Sequence, residues 1–219
     1  MRKLTFAHNE FYHLHNRGVS DIKLFQDEAD FARFLFLILH FQSPTAIHNI
    51  STTTNSFLRH HRFGISREKA TKLETDRSVE LISFSLLPQE LNLLVRNIEE
   101  QYISVYMHRV LMAYGKYYNA KYNRSGHVFD GPFRAKRIKG NEELLATSSY
   151  IHNRPKTVPD YAQNNDTYPW SSYRDYVGEN RFPGLLYPKV ILSQFKTPAS
   201  YNHFIQTSGD KELEPLADY

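Results

Sequence analysis

The order of elements along the chain predicts an α+β domain with helices packed on an antiparallel sheet. Three observations carry this. A period-2 segment opens the chain, two apolar runs split by a tight turn lie in its middle, and long segments of helical spacing separate them. Glu10 to Gly18 alternates aromatic or apolar residues with polar ones and stops at glycine, which reads as a strand. Asp27-Glu28-Ala29-Asp30 then opens a helix whose residues Phe31, Phe34, Leu35, Ile38 and Phe41 recur every three or four positions. Residues 43–77 are polar, with the run Ser51-Thr52-Thr53-Thr54-Asn55-Ser56, and read as a loop-rich insertion, partly helical near Arg67 to Thr75. Val79 to Leu87 and Leu91 to Arg96 flank Pro88-Gln89-Glu90 and predict a hairpin. Tyr102, Val105, Tyr106, Val110, Met112 and Tyr117 trace a second long helix, ended by Asn123-Arg124-Ser125-Gly126.

Phe133 to Lys139 reads as a basic strand. Asn141 reads as an N-cap, with Glu142 and Glu143 in the first turn suiting the helix dipole. That helix should stop at Asn153, because Pro155 disfavours helical backbone at Arg154. The four strands should form one sheet, with the helices from Asp27 and Tyr102 covering one face. From Lys156 onward the chain is rich in Pro, Tyr and Asn and should wrap the core. The expected organisation is a domain over 1–178, with the insertion at 43–77, and an extension over 179–219 packing on it. The acidic end, Asp210 to Pro215, should fray.

Composition narrows the classes. The chain has 219 residues, 41% hydrophobic and 23% charged, which is ordinary globular usage. It has no cysteine, which excludes disulfide scaffolds, thiolate metal sites and cysteine nucleophiles. No run approaches the ~18 apolar residues of a membrane span. Met1 to Thr5 is followed by no apolar stretch, so the expected compartment is the cytoplasm. Lys and Arg outnumber Asp and Glu, 27 to 23, and 15 Phe, 15 Tyr and one Trp make the chain rich in rings. From Tyr102 to Lys139 eight basic residues face one acid, a local balance of +7. Tyr114, Tyr117, Tyr118, Tyr122, Phe129 and Phe133 interleave with them. Cations beside rings suit a single-stranded nucleic-acid groove, and Arg124, Arg134, Lys136 and Arg137 are its expected phosphate contacts.

Five blocks together resemble the REP-associated branch of the single-tyrosine (HUH-type) transposases. They are Tyr12 to Gly18, Ser85 to Val95, Tyr118-Asn119 with Arg124 to Arg134, Tyr150 to Pro155, and Tyr168-Pro169-Trp170-Ser171-Ser172-Tyr173. The resemblance implies a ferredoxin-like antiparallel sheet, binding of single-stranded or hairpin DNA, and a possible homodimer. It implies DNA strand cleavage and rejoining through a tyrosine, which Tyr150 matches, and adds Arg17 to the nucleic-acid contacts. A phenolate can attack a phosphodiester and leave again, so breakage and rejoining need no external energy.

The chain departs from that pattern at the metal. Glu90 and Asn92 stand where the family has two histidines, on one face of a strand. Their oxygens admit Mg2+ or Mn2+ by resemblance, but the imidazoles are gone. Arg154, four residues after Tyr150, stands where related enzymes can place a third ligand, and a guanidinium repels a metal. An ion pair between Glu90 and Arg154 is expected to replace the metal, leaving none bound and cleavage impaired. Two other readings stay open: an active tyrosine transesterase with an oxygen-ligated metal, and a single-stranded RNA-binding module using an exposed aromatic sheet. His13 and His15 share a strand face and read as polar positions of a half-exposed strand.

Overall fold

A computed structural model describes residues 5–45, 49–61, 63 and 66–208; the acidic end at 210–215 and the first four residues lie outside them. The elements are β1 (Phe11–Arg17), α1 (Glu28–His40), α2 (Ile50–His60), α3 (Arg67–Thr75), β2 (Val79–Leu87), β3 (Glu90–Asn97), α4 (Tyr102–Lys121), β4 (Arg134–Arg137), α5 (Asn141–Asn153), α6 (Tyr173–Val177), α7 (Lys189–Leu192) and α8 (Pro198–Thr207). The four strands form one antiparallel sheet in the order β2-β3-β1-β4, the ferredoxin-like arrangement. None of the described helices is long and apolar enough to cross a membrane.

Strand alternation gives the sheet two different faces. Tyr12, Leu14, Phe84, Leu86, Leu91, Leu93, Val95 and Ala135 point to one side, where α1 and α4 cover them with Phe34, Leu35, Ile38, Tyr106, Val110 and Tyr114. The other side carries His13, His15, Glu90, Asn92, Leu94, Arg134 and Lys136 in adjacent rows. There α5 packs on β2 and β3, and Leu94, Leu144 and Ile151 join Tyr173, Tyr176, Tyr201 and Ile205 in a second core. A register shift between Leu81 and Ser83 changes the parity of β2, so that Val79 and Leu81 before it and Phe84 and Leu86 after it all face the first core, while Ile82 joins the second.

Local chemistry explains the ends. Asp27 caps α1 by accepting from the Asp30 amide at 3.0 Å. Gly18 ends β1 where its amide donates to the Gln89 carbonyl at 2.9 Å, and a Cβ there would collide with the Ile22 carbonyl oxygen. The segment after residue 168 seals the outer edge of β2: the Leu86 amide donates to Trp170, Ser172 to Phe84, and Tyr187 to Leu81. Covering this edge removes a template for strand addition.

Three expectations need correction. The insertion is more ordered than its composition suggests, because the Ser/Thr run lies inside α2. Ile50, Thr54, Phe57 and Leu58 share one face of that helix, and the Thr53 and Thr54 hydroxyls fold back onto the Asn49 and Ile50 carbonyls. Asn141 is not the cap of α5; Gly140 precedes the helix, and the Asn141 side chain donates to Gln194 at 2.7 Å. The Glu143 carboxylate instead accepts from the Lys139 amide just before the helix. α5 does stop at Asn153, yet Arg154 keeps helical angles (φ −51°, ψ −39°) and opens a 3-10 turn. The restriction before proline is overridden there, and the guanidinium stays over the sheet.

Candidate functional site

The polar face of the sheet, beneath the end of α5, gathers six chemistry-bearing side chains. Glu90, Asn92, His13 and His15 rise from β3 and β1, where His15 opposes Asn92 and Arg17 opposes Glu90 in the register. Tyr150 and Arg154 descend from α5 and the turn that follows it, one helical turn apart.

A directed chain of hydrogen bonds joins them. His13 Nε2 donates to Asn92 Oδ1 at 3.0 Å, and Asn92 Nδ2 donates to Glu90 Oε1 at 3.3 Å. Arg154 Nε donates to the same oxygen at 2.8 Å, joined there by one Nη of the guanidinium. His15 Nε2 lies 3.5 Å from Glu90 Oε2. The Tyr150 ring stands edge-on to His13, with centroids 5.6 Å apart, and the Arg154 guanidinium lies 5.6 Å from its centre.

Electrostatics follow from this packing. Burial alone would raise the Glu90 carboxyl, but His15 and the charge and hydrogen bonds of Arg154 hold it at about 2. Burial pushes the His13 imidazole down to about 4, only partly offset by its bond to Asn92. His13 is therefore neutral at pH 7, with Nε2 protonated and Nδ1 a buried lone pair that has no partner.

These donors do not fit a divalent cation. Mg2+ and Mn2+ favour several oxygen ligands in regular geometry. Here both Glu90 oxygens are engaged by cationic or N–H groups, and Asn92 Oδ1 is taken by His13. A metal would have to displace a guanidinium already in contact with the carboxylate. Among the described residues no group of three or more His, Asp or Glu side chains is arranged to hold a metal.

The expected phosphate contacts divide. Arg134 and Lys136 oppose His15 and His13 on this face, and Lys136 pairs with Glu143 at 2.8 Å. Arg17, at the end of β1, pairs with Asp130 at 2.7 Å. Arg137 is exposed in the register of Tyr12 and pairs with Glu10 at 2.7 Å, while Arg124 lies in the turn after α4, near Tyr118. The ring-and-cation groove read between Tyr102 and Lys139 is not built as expected. Tyr114, Tyr118, Phe129 and Phe133 belong to the core, and Tyr117 and Tyr122 donate to the buried Asp30. Helical spacing turned the tyrosines of α4 inward, away from the charges that neighbour them in sequence.

Sequence reasoning gave His13 and His15 no role, although both belong to this cluster. The signal was their shared parity on a strand that pairs with the one carrying Glu90 and Asn92.

No protein-family model and no curated protein matches the chain. Among solved structures, one described as "Structure of the REP associates tyrosine transposase bound to a REP hairpin" aligns with 85% of this chain and 90% of that chain, at a TM-score of 0.49 and 11% identity.

Proposed function

We propose that this chain binds single-stranded or hairpin DNA as a transposase-like protein, with the Arg154 guanidinium in the role that a metal has in the family its motifs resemble. The observation that carries the reading is the place of Arg154, held by Glu90 and laid beside the Tyr150 ring. A guanidinium offers a rigid fork of N–H donors matched to phosphate oxygens. A phosphate arriving at Tyr150 meets that fork, with Arg134 and Lys136 on the same face of the sheet. Glu90 fixes the fork in the free protein and keeps the charge compensated.

Strand cleavage by Tyr150 is impaired in this reading. Arginine orients a phosphate and offsets its charge, but it lacks the Lewis acidity with which a divalent ion polarises the scissile bond. The reading with an oxygen-ligated metal would require Glu90 to exchange its cation. The RNA reading requires exposed rings on the sheet; one face is covered by α1 and α4, and on the other, beside α5, β1 and β4 present His13, His15, Arg134 and Lys136 while Phe11 packs on the second core.

The test is the salt dependence of binding to a hairpin with single-stranded flanks. Replacing Arg134 and Lys136 together with Ala should flatten the slope of log K against log salt by about 1.4, at ~0.7 per lost single-strand contact. The pair Arg124→Ala with Arg137→Ala should change it less. The reverse order would move the DNA path off this face, and equal competition by an RNA hairpin would favour the RNA reading.

A further inference from the structure

α5 has a second working face. Leu145, Ala146, Ser149 and Tyr150 recur at the spacing of one helical side and line a space shared with α8. Between the two helices lies a pocket of about 230 Å3, closed on the far side by Phe204 and Ser208. That is smaller than the ~300–1,000 Å3 of a drug-sized ligand site, and it suits one planar ring.

We infer that this pocket holds a single unstacked nucleobase of the bound strand, the one attached to the phosphate at Arg154 and Tyr150. The inference rests on the DNA-binding reading above and adds to it how one base is held. Tyr150 supplies the link, since its ring lies 5.6 Å from the Arg154 guanidinium and the same residue lines the pocket. A nucleotide whose phosphate engages the guanidinium therefore has its base within reach of the cavity. Phe204 is half-buried, backed by Phe195 at 5.3 Å and Tyr201 at 6.3 Å between ring centroids, so it presents a fixed aromatic surface.

The wall is held in place before any ligand arrives. The Tyr201 hydroxyl bonds both Ser148 and His152 of α5 at 2.7 Å. Asn153 Nδ2 donates to the Ile205 carbonyl at 3.2 Å, and a Thr197–Ser200 capping box fixes the start of α8. Preorganisation of this kind lowers the entropy cost of binding. Charge favours a base over a phosphate as the occupant. The Glu142 carboxylate at the rim repels phosphate, whereas the basic residues lie on the sheet side of Tyr150. Ser149 and Ser208 supply hydroxyls for the polar edge of a base.

A binding cycle tests this with hairpin DNA carrying a single abasic site, moved one position at a time along its flanks. For the unmodified protein, one position should lose about tenfold in affinity, near the low end of one base–aromatic stack. Phe204→Ala should lose a similar factor on intact DNA and nothing further when the abasic site occupies that position. Phe204→Leu, which keeps the packing on Phe195 and Tyr201, should behave like the alanine variant and excludes misfolding as the cause. Additive losses, or no sensitive position at all, would overturn the pocket assignment. Arg154→Met on intact DNA separates the two ideas, because loss of binding there alongside additive Phe204 results leaves the DNA site standing and removes only the base pocket.

Discussion

Breaking the Glu90–Arg154 contact with Glu90→Gln, Arg154→Met and the double variant should reveal a coupling of about 1–2 kcal/mol. The magnitude comes from the site. The Glu90 carboxyl is lowered from 4.5 to about 2, and at 1.36 kcal/mol per pH unit its surroundings favour the charged form by about 3 kcal/mol. His15 shares that total with Arg154. The Arg154 and Glu90 side chains are also 27% and 23% exposed, so solvent screens part of the remainder. The assay is urea unfolding of the four proteins at pH 7 and low salt. Because the folded carboxyl lies below its unfolded value, the stabilisation is complete above about pH 4.5 and fades as pH falls toward 2. The coupling should fade over the same window. A coupling of zero at pH 7 would refute the electrostatic account of the site.

Two further outcomes follow from buried groups. His13 and His40 are held down to about 4 and His152 to about 3, in each case chiefly by burial. The unfolded chain protonates near 6.5 while these stay neutral, so stability should drop as pH falls below 6.5, by up to about 1.4 kcal/mol per pH unit for each histidine. Urea midpoints that stay level from pH 7 to pH 5 would contradict this. Asp30 is fully buried and accepts from Lys121 at 2.7 Å, Tyr122 at 2.6 Å and Tyr117 at 3.0 Å, tying the start of α1 to the end of α4. Asp30→Ala should cost about 3 kcal/mol in denaturant unfolding, because it removes the acceptor of two hydroxyls and of the Gln26 amide and leaves Lys121 to Asp27 alone. A loss under about 1 kcal/mol would show that water replaces the carboxylate, as at exposed pairs.

The legible parts of the fold were those where pattern and local chemistry agree. α1 declared itself through the acidic opening Asp27-Glu28-Ala29-Asp30 and an apolar face, and the hairpin through two apolar runs around Pro88-Gln89-Glu90. α2 stayed hidden because serine and threonine side chains compete for backbone hydrogen bonds, and only burial of Thr54 and Phe57 shows which conformation wins. At the site, strand parity placed Glu90 beside Asn92, and helix spacing placed Arg154 below Tyr150. Periodicity within one element cannot show which neighbour it faces, so the part of His13 and His15 emerged only with the β1–β3 register. The Tyr-rich end of α4 misled for the same reason, since its rings pack on α1 instead of lining a groove. The second face of α5 needed the position of α8, which its short polar sequence did not announce.

The central claim, that a protein cation takes the place of a metal in holding a phosphate at Tyr150, is tested most directly by hairpin DNA affinity with EDTA, with Mg2+ and with Mn2+ at constant ionic strength. The account predicts the same affinity in all three conditions and a loss of about tenfold or more in Arg154→Met, the scale of one charge-assisted hydrogen bond. Binding that requires Mn2+, or a Mn2+-dependent covalent adduct that disappears in Tyr150→Phe, would contradict it.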